Sequence, residues 1–420
     1  MTEVTLSTRS RGLPARPPER AVRAVRCQIC RGRTVPGLDL GHQPVSDLIL
    51  SAAELGQPET FYPMQLVHCT TCGLTQLGYI VNPKIVYRHF PFVSGTTLTA
   101  TRHLQSLPAR LVEMLRLTDR SFAVDIGSND GTLLEGYRPH GVRFLGVDPS
   151  GDPVQIANAR GIPTLHAFFN EETASHVRAQ HGQADAITAC GVFAHIADLT
   201  GVMVGVKALL APEGVFATDS QYWLDMVLQL HYDNVFHQHL RYYALKPLIH
   251  LFAQYEMDLF DVERSDVYGG SIRVYSCHRG AHAISPRVRE LVAVEEEARL
   301  YDLSTCERFA AAVAERRDRL FAEVYALTSR GRTVVGFGAP AKAATICHYS
   351  GLGRQHLRYV TEVNPLRIGK FLPGVHVPIV DEARMFEDRP DAGILFAWNY
   401  HDEIVPKLRS RGFEGEVLLP

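Results

Sequence analysis

The sequence has no apolar run long enough to cross a membrane, and neither sign of charge prevails: 43 Lys and Arg residues face 45 Asp and Glu residues. A membrane-spanning helix needs about 20 apolar residues, and nucleic-acid-binding domains usually carry a strongly basic patch. We therefore expect no membrane and no nucleic-acid partner. The first 26 residues are rich in Arg and Pro and lack the apolar stretch of a signal peptide, which predicts a disordered basic tail.

Disulfides are not expected either, although the chain has eight cysteines, because nothing in it indicates secretion. We expect a cytoplasmic protein, and a length of 420 residues predicts two or three domains. Two CxxC pairs, Cys27 with Cys30 and Cys69 with Cys72, can close a tetrahedral zinc site. We interpret it as a structural Zn²⁺ site without an open coordination position. A redox role for either pair is the alternative.

A strand, a glycine turn and a helix are predicted from residue 122 onwards. The apolar run at 122–126 leads into GSNDG, and the next predicted strand ends at Asp148. Gly127 and Gly131 let the backbone approach a ligand, and an acid in this place can bind two ribose hydroxyls. The turn is neither GxGxxG nor a P-loop, which favours S-adenosylmethionine (SAM) over a dinucleotide. A purely structural turn is the alternative.

The later part of the chain predicts more α/β structure. One buried strand runs into Gly191 and His195, an antiparallel pair surrounds residues 269–270, and helices cover 285–330. GFGAPAK then repeats the strand, turn and helix pattern, where phosphate binding and a structural turn stay equally open. The predicted domains are the tail (1–26), a zinc-binding lobe (27–82), a SAM-binding methyltransferase domain (83–280) and a Rossmann-like C-terminal domain (281–420).

Together, nine motifs in order resemble the sugar C-methyltransferase family of deoxysugar biosynthesis. They are the CxxC pairs with CGLTQL, DIGSNDGTLL, GVDPS, FAHIADL, the NVFHQHLRYYAL segment, GGSIR, GFGAPAKAATI, NPLRIGKFLPGVHVPI and AWNYHDEI. The resemblance runs from Cys27 to the C-terminus. It implies an α/β protein with a zinc lobe, a central SAM domain and a C-terminal Rossmann-like domain, with a nucleotide sugar held between the last two. A monomer is compatible with the sequence, which does not fix the oligomeric state.

The resemblance also implies site residues. For SAM they are Asp125, Gly127, Ser128, Asn129, Asp130, Asp148 at the ribose, Pro149, Phe168 or Phe169 near the adenine, and Gly191. For the sugar nucleotide they are Lys342, Asn364, Lys370, His376, Arg273, Tyr268 and Trp398.

Methylation of a carbon next to a ketone needs a base for the α-proton and donors for the enolate oxygen. Neutral imidazole is a suitable base near pH 7. We define the histidine segment as NVFHQHLRYYAL, residues 234–245, which offers His237, Gln238, His239 and Tyr242 as catalytic candidates. His195 in FAHIADL is a further candidate.

The histidine segment departs from the family pattern, Tyr-His-Glu-His, by having Phe236 and Gln238. Loss of the carboxylate would leave His239 neutral and able to act as base, or the changes reshape the pocket for another sugar. Tyr268 stands where the family has His, and Gly191 where it often has Asn. Phe90 and Phe92 fall where it tends to have tyrosines.

We therefore predict a SAM-dependent C-methyltransferase acting on a nucleotide-linked keto-deoxysugar, with His239 or His195 as base. One alternative is a degenerate relative that binds SAM and a nucleotide sugar without turnover. Another is O- or N-methylation of a different metabolite.

Overall fold

The computed structural model describes residues 25–86, 94–96 and 98–420. Residues 1–24 of the predicted tail, and Phe90 and Phe92, lie outside the described residues. No described helix is both long and apolar enough to cross a membrane.

Sixteen strands occur in the described residues. In chain order they are β1 (Thr34–Gln43), β2 (Tyr62–Cys69), β3 (Thr75–Leu77), β4 (Phe122–Ile126), β5 (Arg143–Asp148), β6 (Thr164–His166), β7 (Ala184–Cys190), β8 (Leu210–Gln221), β9 (Arg241–Tyr242), β10 (Met257–Ser265), β11 (Ser271–His278), β12 (Val334–Phe337), β13 (Val360–Glu362), β14 (Ile379–Asp381), β15 (Ala392–Leu395) and β16 (Glu416–Leu418).

Twelve α-helices accompany these strands in the described part of the chain. They are α1 (Pro83–Val86), α2 (Leu98–Leu115), α3 (Gly151–Ala159), α4 (Glu171–His181), α5 (Leu199–Leu209), α6 (Trp223–Gln229), α7 (Leu245–Gln254), α8 (Pro286–Glu297), α9 (Leu303–Thr328), α10 (Ala341–Tyr349), α11 (Ala383–Asp388) and α12 (His401–Ser410).

Local sequence explains where several helices begin. The side chains of Asn170 and Asp198 accept hydrogen bonds from backbone N–H groups in the first turns of α4 and α5. Ser285 caps α8 in the same way, and Pro286 occupies its first position. These side chains satisfy N–H groups that have no partner within the helix.

The N-terminal lobe is a four-stranded antiparallel sheet in the order β1-β2-β3-β9. Its last strand, β9, belongs to the histidine segment, and Tyr242 pairs with Thr75 of β3. The histidine segment is therefore fixed to the zinc-binding lobe, although the two are far apart in sequence.

The central sheet has seven strands in the order β10-β11-β8-β7-β4-β5-β6. Strands β4 to β8 are parallel, and β10 and β11 add the predicted antiparallel pair at one edge. Every residue of β4 is buried, as expected for a parallel strand covered on both faces. The strand order reverses between β4 and β7, and ligands of such sheets usually bind in the crevice outside the carboxyl ends there.

The C-terminal sheet has five parallel strands in the order β14-β13-β12-β15-β16. Its order reverses between β12 and β15. Two parallel sheets and a small cysteine-bearing lobe confirm the predicted α/β fold class.

Helix α9 joins the two parallel sheets. Phe309 and Val313 in its first half belong to the core that includes the central sheet and the zinc lobe, whereas Leu320 and Val324 belong to the core of the C-terminal sheet. The zinc lobe thus shares its apolar core with the central sheet. The exact domain boundaries given above stay predictions.

Candidate active site

The four predicted zinc ligands lie together in the N-terminal lobe. The Sγ atoms of Cys27 and Cys72 are 3.5 Å apart, those of Cys30 and Cys69 are 3.4 Å apart, and all four lie within 4.8 Å of one another. Tetrahedral coordination with Zn–S bonds of about 2.3 Å places the sulfurs roughly 3.8 Å apart. The four thiolates therefore fit one zinc ion with no open position.

A cavity of about 1110 Å³ lies between the carboxyl ends of the two parallel sheets. Gly127 and Gly191 line it from the reversal point of the central sheet, and Gly338 and Ala397 line it from that of the C-terminal sheet. The histidine segment and the loop after β1 contribute further lining residues. Both expected ligand crevices therefore open into one shared space.

The glycine turn after β4 has the close approach to its surroundings that the sequence predicts. Gly127 has a φ of 69°, and a Cβ there would lie 2.6 Å from Cγ2 of Val192. Asn129 follows with a φ of 51°, and its Oδ1 accepts a hydrogen bond of 2.9 Å from the Ser94 N–H. Only glycine fits the first position without strain.

Asp148 ends β5 and lines the cavity beside this turn. Its Oδ2 accepts a hydrogen bond from the Asn129 N–H at 2.9 Å, and its Oδ1 accepts one from the Ser150 N–H at 2.7 Å. Each carboxylate oxygen keeps a further lone pair. The fixed carboxylate therefore fits a ribose diol, and the residues present fit SAM.

Three further predicted SAM residues line the same wall. Phe168 is 59% exposed and Phe169 is 7% exposed, so that Phe168 offers the freer aromatic face for an adenine. Pro149 also lines the cavity, and Gly191 has a φ of 65° with open space where a Cβ would be.

Asp125, Ser128 and Asp130 lie behind this wall and not in the cavity lining. Asp125 accepts a hydrogen bond from Thr188 at 2.6 Å, and burial raises the pKa of its carboxyl to about 7. Asp130 pairs with Arg160 at 3.2 Å. These side chains support the turn from beneath.

His195 and His239 both line the cavity, and their rings come together in its wall. Their rings stack with centroids 4.8 Å apart and an interplanar angle of 26°. Nδ1 of His239 lies 2.7 Å from the backbone oxygen of Asn234. Because a carbonyl can only accept, Nδ1 carries the proton and Nε2 keeps its lone pair.

Both rings are neutral at pH 7. Burial lowers the pKa of His239 to about 4, and the charge of Lys342 lowers it further against the hydrogen bond to Asn234. Burial lowers the pKa of His195 well below its ordinary value, and a proton on His239 would lower it further. The neutral state of His239 thus follows first from its burial, which disfavours the charged ring.

The rest of the histidine segment divides between the cavity and the protein interior. Phe236 and Gln238 line the cavity, and the Phe236 ring packs 3.9 Å from that of His239. His237 lies outside the lining against the Tyr62 ring, and burial lowers its pKa to about 4. Tyr242 is buried in β9, also outside the lining, and burial raises its pKa.

Asp47 and Arg367 line the cavity beside Gln238, and sequence reasoning missed both. Nε2 of Gln238 donates to Oδ2 of Asp47 at 3.2 Å, and Nη2 of Arg367 donates to Oδ1 at 3.0 Å. All three side chains are buried. No local motif marks Asp47, which lies 191 residues before Gln238.

Lys342 and Asn364 line the side formed by the C-terminal sheet. Nζ of Lys342 donates to Oδ1 of Asn399 at 2.8 Å, pairs with Asp233 at 3.6 Å and lies 4.0 Å above the Trp398 ring. Burial lowers the pKa of this ammonium. Trp398 itself stands behind the lining, where its indole N–H donates to Asp233.

Tyr268 lines the cavity with a φ of 60°, and Arg273 lies behind it. Nε of Arg273 donates to Oδ2 of Asp219 at 3.0 Å, and Nε2 of His103 lies 2.9 Å from the same oxygen. Asp219 and His103 line the cavity, and neither was predicted. The acid in FATDSQY, near the end of parallel strand β8, is a signal that could have identified Asp219.

Lys370 and His376 are not brought to the cavity lining. His376 instead contacts Glu59 at 2.5 Å, which ties the C-terminal sheet to the N-terminal lobe.

Three family models match consecutive parts of the chain: a "zinc binding domain" over residues 27–87, a "Methyltransferase domain" over 100–260 and a "C-methyltransferase C-terminal domain" over 266–420. Their order agrees with the order of the three sheets.

Among curated proteins, the chain is 32% identical over 381 residues to C-methyltransferase NovU of Streptomyces niveus, covering 90% of this chain and 91% of that protein. It is 29% identical over 98 residues to the ubiquinone biosynthesis O-methyltransferase of Haemophilus ducreyi, covering 22% of this chain and 42% of that protein. A solved structure, magnesium protoporphyrin IX methyltransferase of Synechocystis with bound SAH, is 12% identical with a TM-score of 0.37 and covers 47% of this chain and 100% of that one. The match that spans nearly the whole chain is to a C-methyltransferase.

Proposed function

Because the chain belongs to the C-methyltransferase family, we propose that it methylates a carbon next to the ketone of a nucleotide-linked deoxysugar. The coarser activity is established by the family: the protein is a SAM-dependent C-methyltransferase with a structural zinc site. The proposal concerns the substrate, the mechanism and the residues that act.

The observation that carries the proposal is the shared cavity. Protein sites for one small ligand usually measure about 300–1,000 Å³. This cavity measures about 1110 Å³ and is lined from the carboxyl ends of the strands of two separate sheets. The turn at Gly127 and the carboxylate of Asp148 suit SAM at one end. Lys342 and Asn364 offer a cation and an amide to a diphosphate at the other. His195 and His239 line the same cavity.

We propose His239 as the base. Its Nε2 lone pair is free of the hydrogen bond that Nδ1 makes to Asn234, and the neutral ring can accept the α-proton of the sugar. Hydrogen bonding to Asn234 holds the ring orientation while Nε2 takes the proton. The Asn234 carbonyl then stabilises the imidazolium that forms.

We propose His195 as the donor to the enolate oxygen. A neutral imidazole always has one N–H, and stacking on His239 keeps the ring at the cavity wall. Preorganised donors aimed at a developing oxyanion are worth more in a site that excludes water. When bound, SAM would supply the methyl group as an electrophile, and the turn at 127–131 would hold it.

Four thiolates bind zinc only while they are reduced. We therefore also propose that the enzyme works in a reducing compartment, the cytoplasm.

The test is to incubate the purified protein with SAM and a panel of nucleotide 4-keto sugars in deuterated water. We expect deuterium exchange at the α-carbon and a new methyl signal on carbon by NMR. A methyl group found on oxygen or nitrogen would overturn the C-methylation of a sugar. SAM binding without exchange or transfer on any sugar would favour a relative that has lost catalysis.

A further inference from the structure

The carboxylate of Asp47 reaches the histidine segment from the loop after β1. Its side chain is 7% exposed and lies between Gln238, which is 1% exposed, and Arg367, which is 9% exposed. Arg367 also donates from Nη1 to the backbone oxygen of Ala339 at 2.8 Å, next to the glycine turn after β12. Asp47 therefore connects three parts of the chain at the cavity wall.

The chemistry of this contact fixes which way the Gln238 amide points. Asp47 accepts from Arg367, and a carboxylate accepts hydrogen bonds and does not donate them, so the group of Gln238 that faces it is the NH₂. The carbonyl Oε1 is then turned away from Asp47. It is buried and has no hydrogen-bond partner among the described residues. A buried acceptor without a partner is costly, and Gln238 lines the cavity.

We propose that Asp47 is the positioning residue that orients Gln238, so that Oε1 accepts a hydrogen bond from a hydroxyl group of the sugar substrate. This inference rests on the proposed function for the identity of the substrate. It adds that the substrate carries a hydroxyl within reach of this oxygen, and that the acceptor depends on a residue in the N-terminal lobe.

A purely structural role of Asp47 predicts a different outcome. If Asp47 only joined the N-terminal lobe to Arg367, the identity of residue 238 would matter little to the Asp47–Arg367 ion pair. If instead Asp47 orients the amide, the donor and the acceptor can be exchanged. Asp47→Asn with Gln238→Glu places an amide N–H on residue 47 and a carboxylate on residue 238. One oxygen of that carboxylate pairs with the amide, and the other replaces Oε1 toward the substrate.

The experiment is a double-mutant cycle on the full chain with Asp47→Asn, Gln238→Glu and the exchange variant. Gln238→Glu sets two carboxylates against each other, and we expect kcat/KM to fall by about 10-fold or more. The exchange should recover at least about fivefold of that loss, because directly paired groups couple. Losses that simply multiply in the double variant would overturn the pairing.

A second variant tests the acceptor itself and does not depend on how Gln238→Glu folds. Gln238→Met has nearly the same shape and no acceptor, and we expect KM to rise by about 10-fold with kcat little changed. Among substrates that each lack one sugar hydroxyl, wild type should reject one by a similar factor, and Gln238→Met should accept that one as well as the parent sugar. Equal discrimination by the two proteins would refute the contact.

The thermal midpoints of the cycle are measured without substrate and separate this inference from the proposed function. If wild type methylates no sugar nucleotide, the proposed function fails, and recovery of Tm in the exchange variant still decides the pairing. If wild type turns over and the exchange recovers neither Tm nor kcat/KM, only the role of Asp47 fails. SAM affinity should stay constant throughout, because Gln238 is outside the turn at 127–131.

Discussion

Replacing His239 by Gln removes the proposed base with little disturbance of its surroundings. A Gln amide can still donate to the Asn234 carbonyl, as Nδ1 of His239 does at 2.7 Å. It cannot take a proton from carbon. The variant therefore separates the structural hydrogen bond from the chemistry, which His239→Ala would not do.

The size of the effect follows from the role of the residue. A positioned general base contributes about 10²- to 10⁴-fold, which is roughly 3–5 kcal/mol of activation free energy. Because burial holds the pKa of His239 at about 4, the ring is already neutral at pH 6 to 8. We thus expect kcat of wild type to show no titration of this group in that range, and the loss in His239→Gln to be constant across it.

His237→Gln is the matched control. His237 is two residues away, is also buried and has a pKa lowered to about 4 as well, but it lies outside the cavity lining. The assay follows deuterium exchange at the α-carbon and methyl transfer in parallel, with SAM affinity measured by calorimetry. We expect exchange to disappear only in His239→Gln. Exchange that persists above about a tenth of wild type, or that is lost equally in His237→Gln, would refute His239 as the base.

Three further predictions concern stability, the SAM turn and the metal. Burial lowers the pKa of His231 and His237 to about 4, below the ordinary value near 6.5. Between these two pH values the unfolded chain binds more protons than the folded protein, so Tm should fall as the pH falls from about 6.5 to about 4. A Tm that stays level over this range would contradict the prediction. Asp125 has a pKa raised to about 7, so the folded protein binds one more proton there than the unfolded chain below that pH, which partly offsets the fall in Tm. Gly127→Ala should lower Tm and SAM affinity more than Gly161→Ala. Both glycines have a φ near 70°, but only a Cβ at residue 127 would lie 2.6 Å from Val192, which adds a cost of about 1–3 kcal/mol. Equal effects of the two substitutions would exclude that contact as the cause. Cys27→Ser should reduce the zinc content, measured by mass spectrometry, well below about one ion per chain. Cys306 is a buried cysteine outside the cluster, so Cys306→Ser should retain the zinc. An unchanged zinc content in Cys27→Ser would refute the four-thiolate site.

The features that could be predicted from sequence are those determined by residues near one another in the chain. A CxxC turn brings two sulfurs together whatever surrounds it, so both pairs can be recognised without knowledge of the sheet that joins them. The GSNDG turn needs φ values that glycine supplies, and Asp148 follows at the end of the adjacent strand. These local requirements are enough to predict the fold class and the part of the cavity wall that is proposed for SAM.

The opposite wall was harder to predict. Of the proposed sugar-nucleotide residues, Lys342, Asn364 and Tyr268 line the cavity, whereas Arg273 and His376 are occupied by Asp219 and Glu59. A cation in a motif can face a ligand or a carboxylate elsewhere in the protein. Only the packed structure shows which partner it has.

The sequence by itself determined the zinc ligands, the glycine turn proposed for SAM and the presence of a second Rossmann-like unit, because each depends on backbone conformation or strand order within one stretch. The tertiary structure alone decided which histidines meet. The histidine segment has no carboxylate of its own, and only the tertiary structure brings that of Asp47 to Gln238. Asp47 and Gln238 are 191 residues apart, and Asp47 and Arg367 are 320 apart. Contacts across such distances arise only when β9 joins the zinc lobe and the two parallel sheets close around one cavity.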